Sequence, residues 1–283
     1  YLRFFAELGA AALAGGEGDG GAAHGSEAAA QMLGRVTELV GVGQPDVRYA
    51  ACLACYGMAA SMLGALAGLN ARREKLARMV AGGNAGRKKG EGIAQRMAAV
   101  KRSAEELEET VGGLVFSGVF AMRYRDSNEH VRAISLAGLS AATVLHPSTY
   151  LSDRYLKYFG WLASDKSATV RHSALRGMLA PFEARIDGGD ARIDISALSH
   201  FVSKFRGRIA GCLADVCPHV RLAAMRLLLH LLREGFLDDA GIADDFFHGV
   251  NIGAIDPGAG PEVRKLATLF VTEQLEAFEE AEG

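Results

Sequence analysis

Side chains able to do covalent or metal chemistry are scattered along this sequence. The cysteines stand as Cys52 with Cys55 and Cys212 with Cys217, so the two pairs are 157 residues apart. A zinc site gathers its thiolates at close spacing, commonly across a turn. Cys52-Leu-Ala-Cys55 instead sits inside an apolar helical run, and buried free thiols in a reducing setting are the expectation. The histidines show neither H-x-x-x-H nor HExxH spacing. Gly83-Asn-Ala-Gly86-Arg-Lys-Lys lacks the spacing of a phosphate loop and follows no strand pattern. No Ser or Cys nucleophile elbow is visible. The sequence therefore predicts no catalytic residue, no metal and no cofactor.

Two clusters have the residue types for binding. Asp153, Lys157 and Trp161 are spaced i, i+4, i+8 and share one helical face, while Tyr155, Tyr158, Phe159 and Leu162 gather on the other. Trp161 is the single tryptophan. A Trp beside Lys and Asp, away from the core stripe, suits an anchor for an aromatic peptide motif; packing against a neighbouring helix is the alternative. Just ahead, Arg123 and Arg125 flank Tyr124, and one of the two arginines is expected to pair with a nearby aspartate. The second cluster is basic. Between Ala71 and Arg102 lie ten bases, Arg72, Arg73, Lys75, Arg78, Arg87, Lys88, Lys89, Arg96, Lys101 and Arg102, against Glu74 and Glu91. Such a run is either a solvated face or a contact for phosphate backbone, and with no interleaved aromatic any DNA binding would be non-specific.

The elements that must position these residues are helical. Of 283 residues 49% are hydrophobic, 23% are charged and only 6 are proline. Of the 35 glycines many fall in Gly9–Gly25, Gly82–Gly92 and Gly249–Gly260, marking loops and leaving helical runs between. A net charge of −2 gives no overall pull towards nucleic acid or membrane, although the last eleven residues carry five glutamates, Glu273, Glu276, Glu279, Glu280 and Glu282, and no base. No run reaches the roughly 18 consecutive apolar residues of a membrane span, so no membrane partner is expected. The chain opens on Tyr1 and an apolar stretch without a basic leader, which reads as a piece of a longer protein.

One phrase recurs: an aspartate, four residues, Val-Arg, then a small and apolar helical run. Full copies are Asp126 to Val131-Arg132, Asp165 to Val170-Arg171 and Asp215 to Val220-Arg221; weaker ones, without that aspartate, are Val47-Arg48 and Val263-Arg264. The last four Val-Arg pairs are 39, 50 and 43 residues apart, close to a HEAT period, and the first gap is 84. The aspartate is expected to brace the turn between two helices, the valine to start the buried stripe and the arginine to reach a neighbouring aspartate. An all-α solenoid of HEAT-like helix pairs follows, with an inserted basic hairpin filling the long gap. A stack of this kind presents surface to partners. The pattern predicts helices over Ala28–Val42, Val47 to Met79, Ile93–Phe120 and from Pro261. A mobile Gly/Ala loop is expected to about Gly25, breaks near His146-Pro147 and Asp187–Asp190, and a loose acidic connector over Asp238–Gly260.

From Val115 to Leu232 the sequence resembles the stromalin family, the HEAT-repeat subunit of cohesin. The residues that carry the resemblance are Phe116-Ser-Gly-Val-Phe-Ala-Met-Arg-Tyr-Arg-Asp126, Tyr155-Leu-Lys-Tyr-Phe-Gly-Trp161, Asp165-Lys166 and Phe201-Val-Ser-Lys-Phe-Arg-Gly-Arg-Ile209. The resemblance implies N-terminal HEAT-like helices over 1–70, the hairpin over 71–115 and repeats over 116–283, with the conservative domain at about 116–232. It further implies a nuclear, chromatin-associated, non-enzymatic protein that binds the kleisin subunit, contacts DNA through basic patches and receives regulators carrying aromatic short motifs. That regulator surface carries over to Tyr124, Arg125, Asp153, Lys157 and Trp161. The family usually has Arg where this chain has Lys204, and Lys is the weaker bidentate partner for a carboxylate. A generic HEAT adaptor, of a transport or condensin type, is the competing class.

Overall fold

Apolar residues at three- and four-residue spacing, with proline mostly at helix starts and only Pro181 inside a helix among the described residues, build a chain of helices. A computed structural model describes residue 7 and residues 21–81, 87–186, 193–237, 250 and 256–282. Every regular element among the described residues is helical. They are α1 (Gly21–Leu39), α2 (Pro45–Ala81), α3 (Arg87–Thr110), a π-helical segment (Val111–Phe120) continued by the turn Ala121–Arg123, α4 (Glu129–Leu145), the single turn Pro147–Tyr150, α5 (Asp153–Leu162), α6 (Ala168–Ile186), α7 (Ser199–Gly211), α8 (Pro218–Arg233) and α9 (Pro261–Glu282).

Several boundaries differ from the sequence pattern. α1 begins at Gly21, seven residues before Ala28, and ends at Leu39 rather than Val42; its alanines, the best helix formers, carry the helix back through glycine. The earlier Gly/Ala residues 8–20 lie outside the described residues. The hairpin break narrows to 82–86, which is not described, because α3 resumes at Arg87 instead of Ile93. The expected single helix to Phe120 turns π-helical at Val111, and the Ser117 hydroxyl donates to the Gly112 carbonyl five residues back at 3.1 Å. Gly112, Gly113 and Gly118 relieve the side-chain crowding of the wider turn. The break at Asp187–Asp190 and the acidic residues Asp238, Asp239, Asp244 and Asp245 lie outside the described residues.

The chain forms two compact units, 1–138 and 139–283. In the first, α1 and α3 pack on α2, and the π-helical segment packs on all three. α2 is long and apolar enough, by length and composition alone, to cross a bilayer, yet 67% of its most apolar window is buried within the protein. That buried face carries Cys52, Cys55, Met58, Met62 and Leu66. Tyr56 lies against Gly138, where an added Cβ would stand 2.4 Å from the ring, and its hydroxyl meets the Ser135 hydroxyl at 3.0 Å. In the second unit, α5 and α7 form one layer and α6 and α8 another, with α9 packed on α8. Leu156, Phe159, Leu175, Leu179, Leu227 and Leu228 fill the space between.

Within each unit the Val-Arg phrase forms the joint between helix pairs. In each of four copies the arginine Nη1 donates to the carbonyls five and six residues back: Arg48 to Val42 and Gly43, Arg132 to Asp126 and Ser127, Arg171 to Asp165 and Lys166, Arg221 to Asp215 and Val216. In two copies the other edge of the guanidinium grips the aspartate of the next. Arg48 grips Asp126 through Nε and Nη2, both at 3.0 Å, and Arg171 grips Asp215 at 2.5 and 2.8 Å. Each aspartate meanwhile accepts the backbone N–H two residues on, from Asn128, Ser167 or Cys217. Gly258 occupies the aspartate position of the last, weak copy, and its carbonyl accepts from Arg221 at 3.2 Å in place of a carboxylate.

Burial pushes the Asp126 carboxyl up, but the hydrogen bonds from Arg48, the Asn128 N–H and Arg123 outweigh it and bring the pKa from 3.8 to about 2. The folded carboxylate thus stays ionised where the unfolded one is already protonated. Its contribution is full above about pH 4 and lost as the pH falls towards 2. Arg48→Ala leaves a carboxylate whose side chain is 1% exposed without its main partner, and should cost about 3–5 kcal/mol in urea unfolding. Lys101→Ala, at an exposed pair with Glu105, should cost no more than about 0.5 kcal/mol. Circular dichroism between pH 4 and 2 should show wild-type helix lost over that window.

Candidate interaction surface

The first unit carries Tyr124 and Arg125. Phe116, Phe120 and Tyr124 stack in sequence at 5.1 and 5.7 Å between ring centroids, so the aromatic ladder of the π-helical segment sets the Tyr124 ring. Arg123 turns inward to Asp126 at 2.7 Å. Arg125 is exposed and lies 5.4 Å from the Tyr124 centroid. Of the two flanking arginines, Arg123 is the one paired with the repeat aspartate.

The second unit carries Asp153, Lys157, Trp161 and Lys204. α5 divides as its periodicity predicts: Tyr155, Phe159 and Leu162 are buried, joined by Leu156, whereas Asp153 and Trp161 are exposed. Trp161 keeps 45% of its surface in solvent, so it is not consumed by a neighbouring helix. Tyr158 departs from the expected core stripe. It is half-buried and meets Trp161 edge-on at 5.4 Å. The Lys157 ammonium sits 5.3 Å from the Tyr158 ring and 5.4 Å from that of Trp161. Two cation–π contacts of about 0.5–1 kcal/mol each hold the lysine flat along the aromatic pair.

α7 completes the face with residues that sequence reasoning passed over. His200 Nδ1 contacts the Asp153 carboxylate at 2.5 Å, and Arg208 Nη1 donates to the Gly160 carbonyl at 2.7 Å. Lys204 is exposed, its ammonium 5.8 Å from the Phe205 ring, and Arg208 is 5.5 Å from the same ring. The signal was present: His200, Lys204 and Arg208 repeat the i, i+4, i+8 spacing of Asp153, Lys157 and Trp161. The helices approach so closely because Gly160 has no side chain; a Cβ there would stand 2.5 Å from Phe205. The result is an exposed tryptophan beside Lys157 on α5, with Lys204 and Arg208 on the neighbouring α7 and the Asp153–His200 contact joining the two helices. Such a face can take an aromatic side chain beside an acidic one.

The basic cluster is only partly described. Arg72, Arg73, Lys75 and Arg78 are exposed near the end of α2, and Arg96, Lys101 and Arg102 are exposed on α3. Lys101 pairs with Glu105 at 3.6 Å. Arg87, Lys88 and Lys89 lie in the first turn of α3, and their side chains fall outside the described residues. Among the described residues no group of three His, Cys, Asp or Glu is placed to hold a metal ion. Burial pushes the Cys52 and Cys55 thiols up to about 12, far from the range of a reactive thiolate.

Helix pairs joined by arginine-braced turns, with a polar-aromatic stripe on the exposed face, define an α-solenoid protein of the HEAT type. Residues 125–206 match the stromalin conservative domain. The chain is 32% identical over 132 residues to the cohesin subunit scc-3 of Caenorhabditis elegans, covering 47% of this chain and 11% of that protein. It is 31% identical over 153 residues to the human cohesin subunit SA-3, covering 53% and 12%. The chain thus matches only about a tenth of those relatives' length. The solved structure of the cohesin subunit Scc3 from Z. rouxii, residues 88-1035, superposes with a TM-score of 0.71 over 98% of this chain and 34% of that one, at 20% identity, a likeness of fold. Over residues 125–206 the chain is thus similar to the stromalin conservative domain, and over about half its length to cohesin subunits.

Gly160 gives a direct test of how the face is assembled. Gly160→Ala should force Phe205 and α7 away and cost about 1–3 kcal/mol in urea unfolding. Gly207→Ala, where an added Cβ meets nothing within 4 Å, should instead stabilise α7 by about 0.5–1 kcal/mol.

Proposed function

We propose that this chain is part of a non-catalytic cohesin subunit, nuclear and chromatin-associated, that serves sister-chromatid cohesion and chromosome organisation by holding other macromolecules. The observation that carries the reading is Trp161, exposed beside Lys157 and Asp153 on the face of α5 opposite its buried stripe. A large aromatic left in solvent beside charged side chains is the make-up of a binding anchor. The curated relatives are named as cohesin subunits, which directs the choice of complex. In this reading regulators carrying aromatic short motifs dock on Trp161, Lys157, Asp153 and Lys204, with Tyr124 and Arg125 extending the same function. The kleisin subunit binds along the helix pairs, and non-specific DNA runs over Arg72, Arg73, Lys75, Arg78, Arg87, Lys88, Lys89, Arg96, Lys101 and Arg102. A generic HEAT adaptor would not need the Trp161 stripe.

Binding of an aromatic-motif peptide, measured by fluorescence anisotropy, should fall about tenfold or more in Trp161→Ala and in Arg125→Glu, as loss of a central anchor does. Unchanged affinity in both variants would remove the site. DNA binding should weaken steeply with salt, and the slope of log affinity against log salt should flatten by roughly 0.9 for each phosphate-contacting base neutralised. A salt response that neutralising Arg72, Arg73, Lys75 and Arg78 leaves unaltered would argue that this run is only a solvated face. A pull-down with kleisin segments separates a cohesin subunit from another adaptor.

A further inference from the structure

The layer formed by α6 and α8 holds a second group of cations, away from the Trp161 stripe and from the basic hairpin. His172, Arg176 and Leu179 on α6 face His219, Leu222, Ala223 and Arg226 on α8 across an open cavity of about 240 Å³. The positions follow helical spacing on each side, i, i+4, i+7 on α6 and i, i+3, i+4, i+7 on α8, so they form the facing edges of one groove. The His172 and His219 rings stand 6.1 Å apart, close enough for both to donate to oxygens of one group lodged between them. Arg176, His219 and Arg226 are exposed. The Arg171–Asp215 grip, beside His172 in sequence, fixes the two helices in register at this end.

The geometry points to a binding site for a phosphomonoester carried by a partner protein, held in the α6–α8 groove by His172, Arg176, His219 and Arg226. Two guanidinium and two imidazole groups converging on one cavity match the compact, multiply charged head of a phosphorylated side chain. A nucleic-acid backbone needs a continuing track of positive charge. Here the track is closed, because Glu183, about two turns beyond Arg176 on α6, pairs with it at 3.0 Å and would repel a following phosphate. Leu179 and Leu222 contribute apolar wall.

Proton linkage gives the site a signature. Burial, with Arg176 and His219 nearby, holds the His172 imidazole below its ordinary value, so it is neutral at pH 7 in the free groove. The charged and titratable groups around it are Arg176 and Glu183 on its own helix and His219 and Arg226 on α8. A dianion between the rings favours the protonated imidazole, so binding takes up a proton and strengthens as the pH falls from about 8 towards 6.5. Below about pH 6 the phosphate itself takes up a proton and the gain reverses.

The test uses the whole chain and a fluorescein-labelled peptide with one phosphoserine flanked by alanine and glycine, read by anisotropy. The phosphorylated peptide should bind at least about tenfold tighter than its unphosphorylated form, and tighter near pH 6.5 than near pH 8. Arg226→Gln and His172→Gln should each lower that affinity roughly tenfold, as loss of a charge-assisted hydrogen bond does, while Trp161→Ala leaves it unchanged. Arg226 is exposed, so its variant keeps the fold, which thermal unfolding verifies. Equal binding of the two peptides overturns the proposal. So does a short DNA duplex that binds tighter than the phosphopeptide and loses affinity in the same variants, since the groove would then serve a nucleic-acid backbone.

Discussion

A planar guanidinium with two usable edges ties these helices together. Nη1 of the Val-Arg arginine closes its own turn by donating to two carbonyls, and in Arg48 and Arg171 the Nε/Nη2 edge takes the carboxylate of the following copy in a two-bond grip. Lysine would offer a point charge and could not serve both partners at fixed geometry. The aspartate is equally committed, because one oxygen also receives a backbone N–H of its turn. Each grip therefore fixes the angle of a turn and the stacking of a repeat together. Where the carboxylate is missing, at Gly258, a backbone carbonyl still satisfies one N–H, which is a weaker and less charged substitute.

This arrangement separates stacking from display. Within the second unit the load of stacking falls on the turns, on the α6–α8 contact and on Phe159 and Phe205. Phe205 fits against Gly160 and Phe159 against Gly177, each a place where a Cβ would collide with the ring. The outward stripe of α5 takes no part in this packing, so it can carry Asp153, Lys157 and an exposed Trp161 without loss of core. The neighbouring stripe of α7 is tied in lightly, by the Asp153–His200 contact and the Arg208–Gly160 hydrogen bond. Those ties hold the charged side chains at set positions, which lowers the ordering entropy a ligand must overcome.

Much of this was legible from spacing. The repeated Asp-x4-Val-Arg phrase fixes the order of turns, and the inward and outward faces of α5 follow from a 3.6-residue period applied to Asp153–Leu162. The readings that failed did so for physical reasons. The helical pattern predicts a plain helix to Phe120, but three glycines admit the wider π turn, whose cost is side-chain crowding that they do not have. The 3.6-residue period puts Tyr158 on the core stripe, yet its ring is amphipathic and serves as the edge on which Lys157 and Trp161 rest. His200 and Arg208 carried no motif of their own. They matter through adjacency to α5, and adjacency between helices some forty residues apart depends on which repeat stacks on which.

Two surfaces on one unit raise the question of coupling between them. The Trp161 stripe uses α5 and α7, and the cationic groove uses α6 and α8, so the same Arg171–Asp215 joint lies behind both. Coupling needs an element with two arrangements that the ligands favour unequally. A two-bond ion pair with both partners largely buried, further fixed by backbone hydrogen bonds on each side, has one good geometry, and opening it would strand the Asp215 carboxylate. The joint therefore transmits position but not change. Partners on the two faces should bind independently, and a chain that holds several at once by rigid, additive contacts is what a scaffold built from stacked repeats supplies.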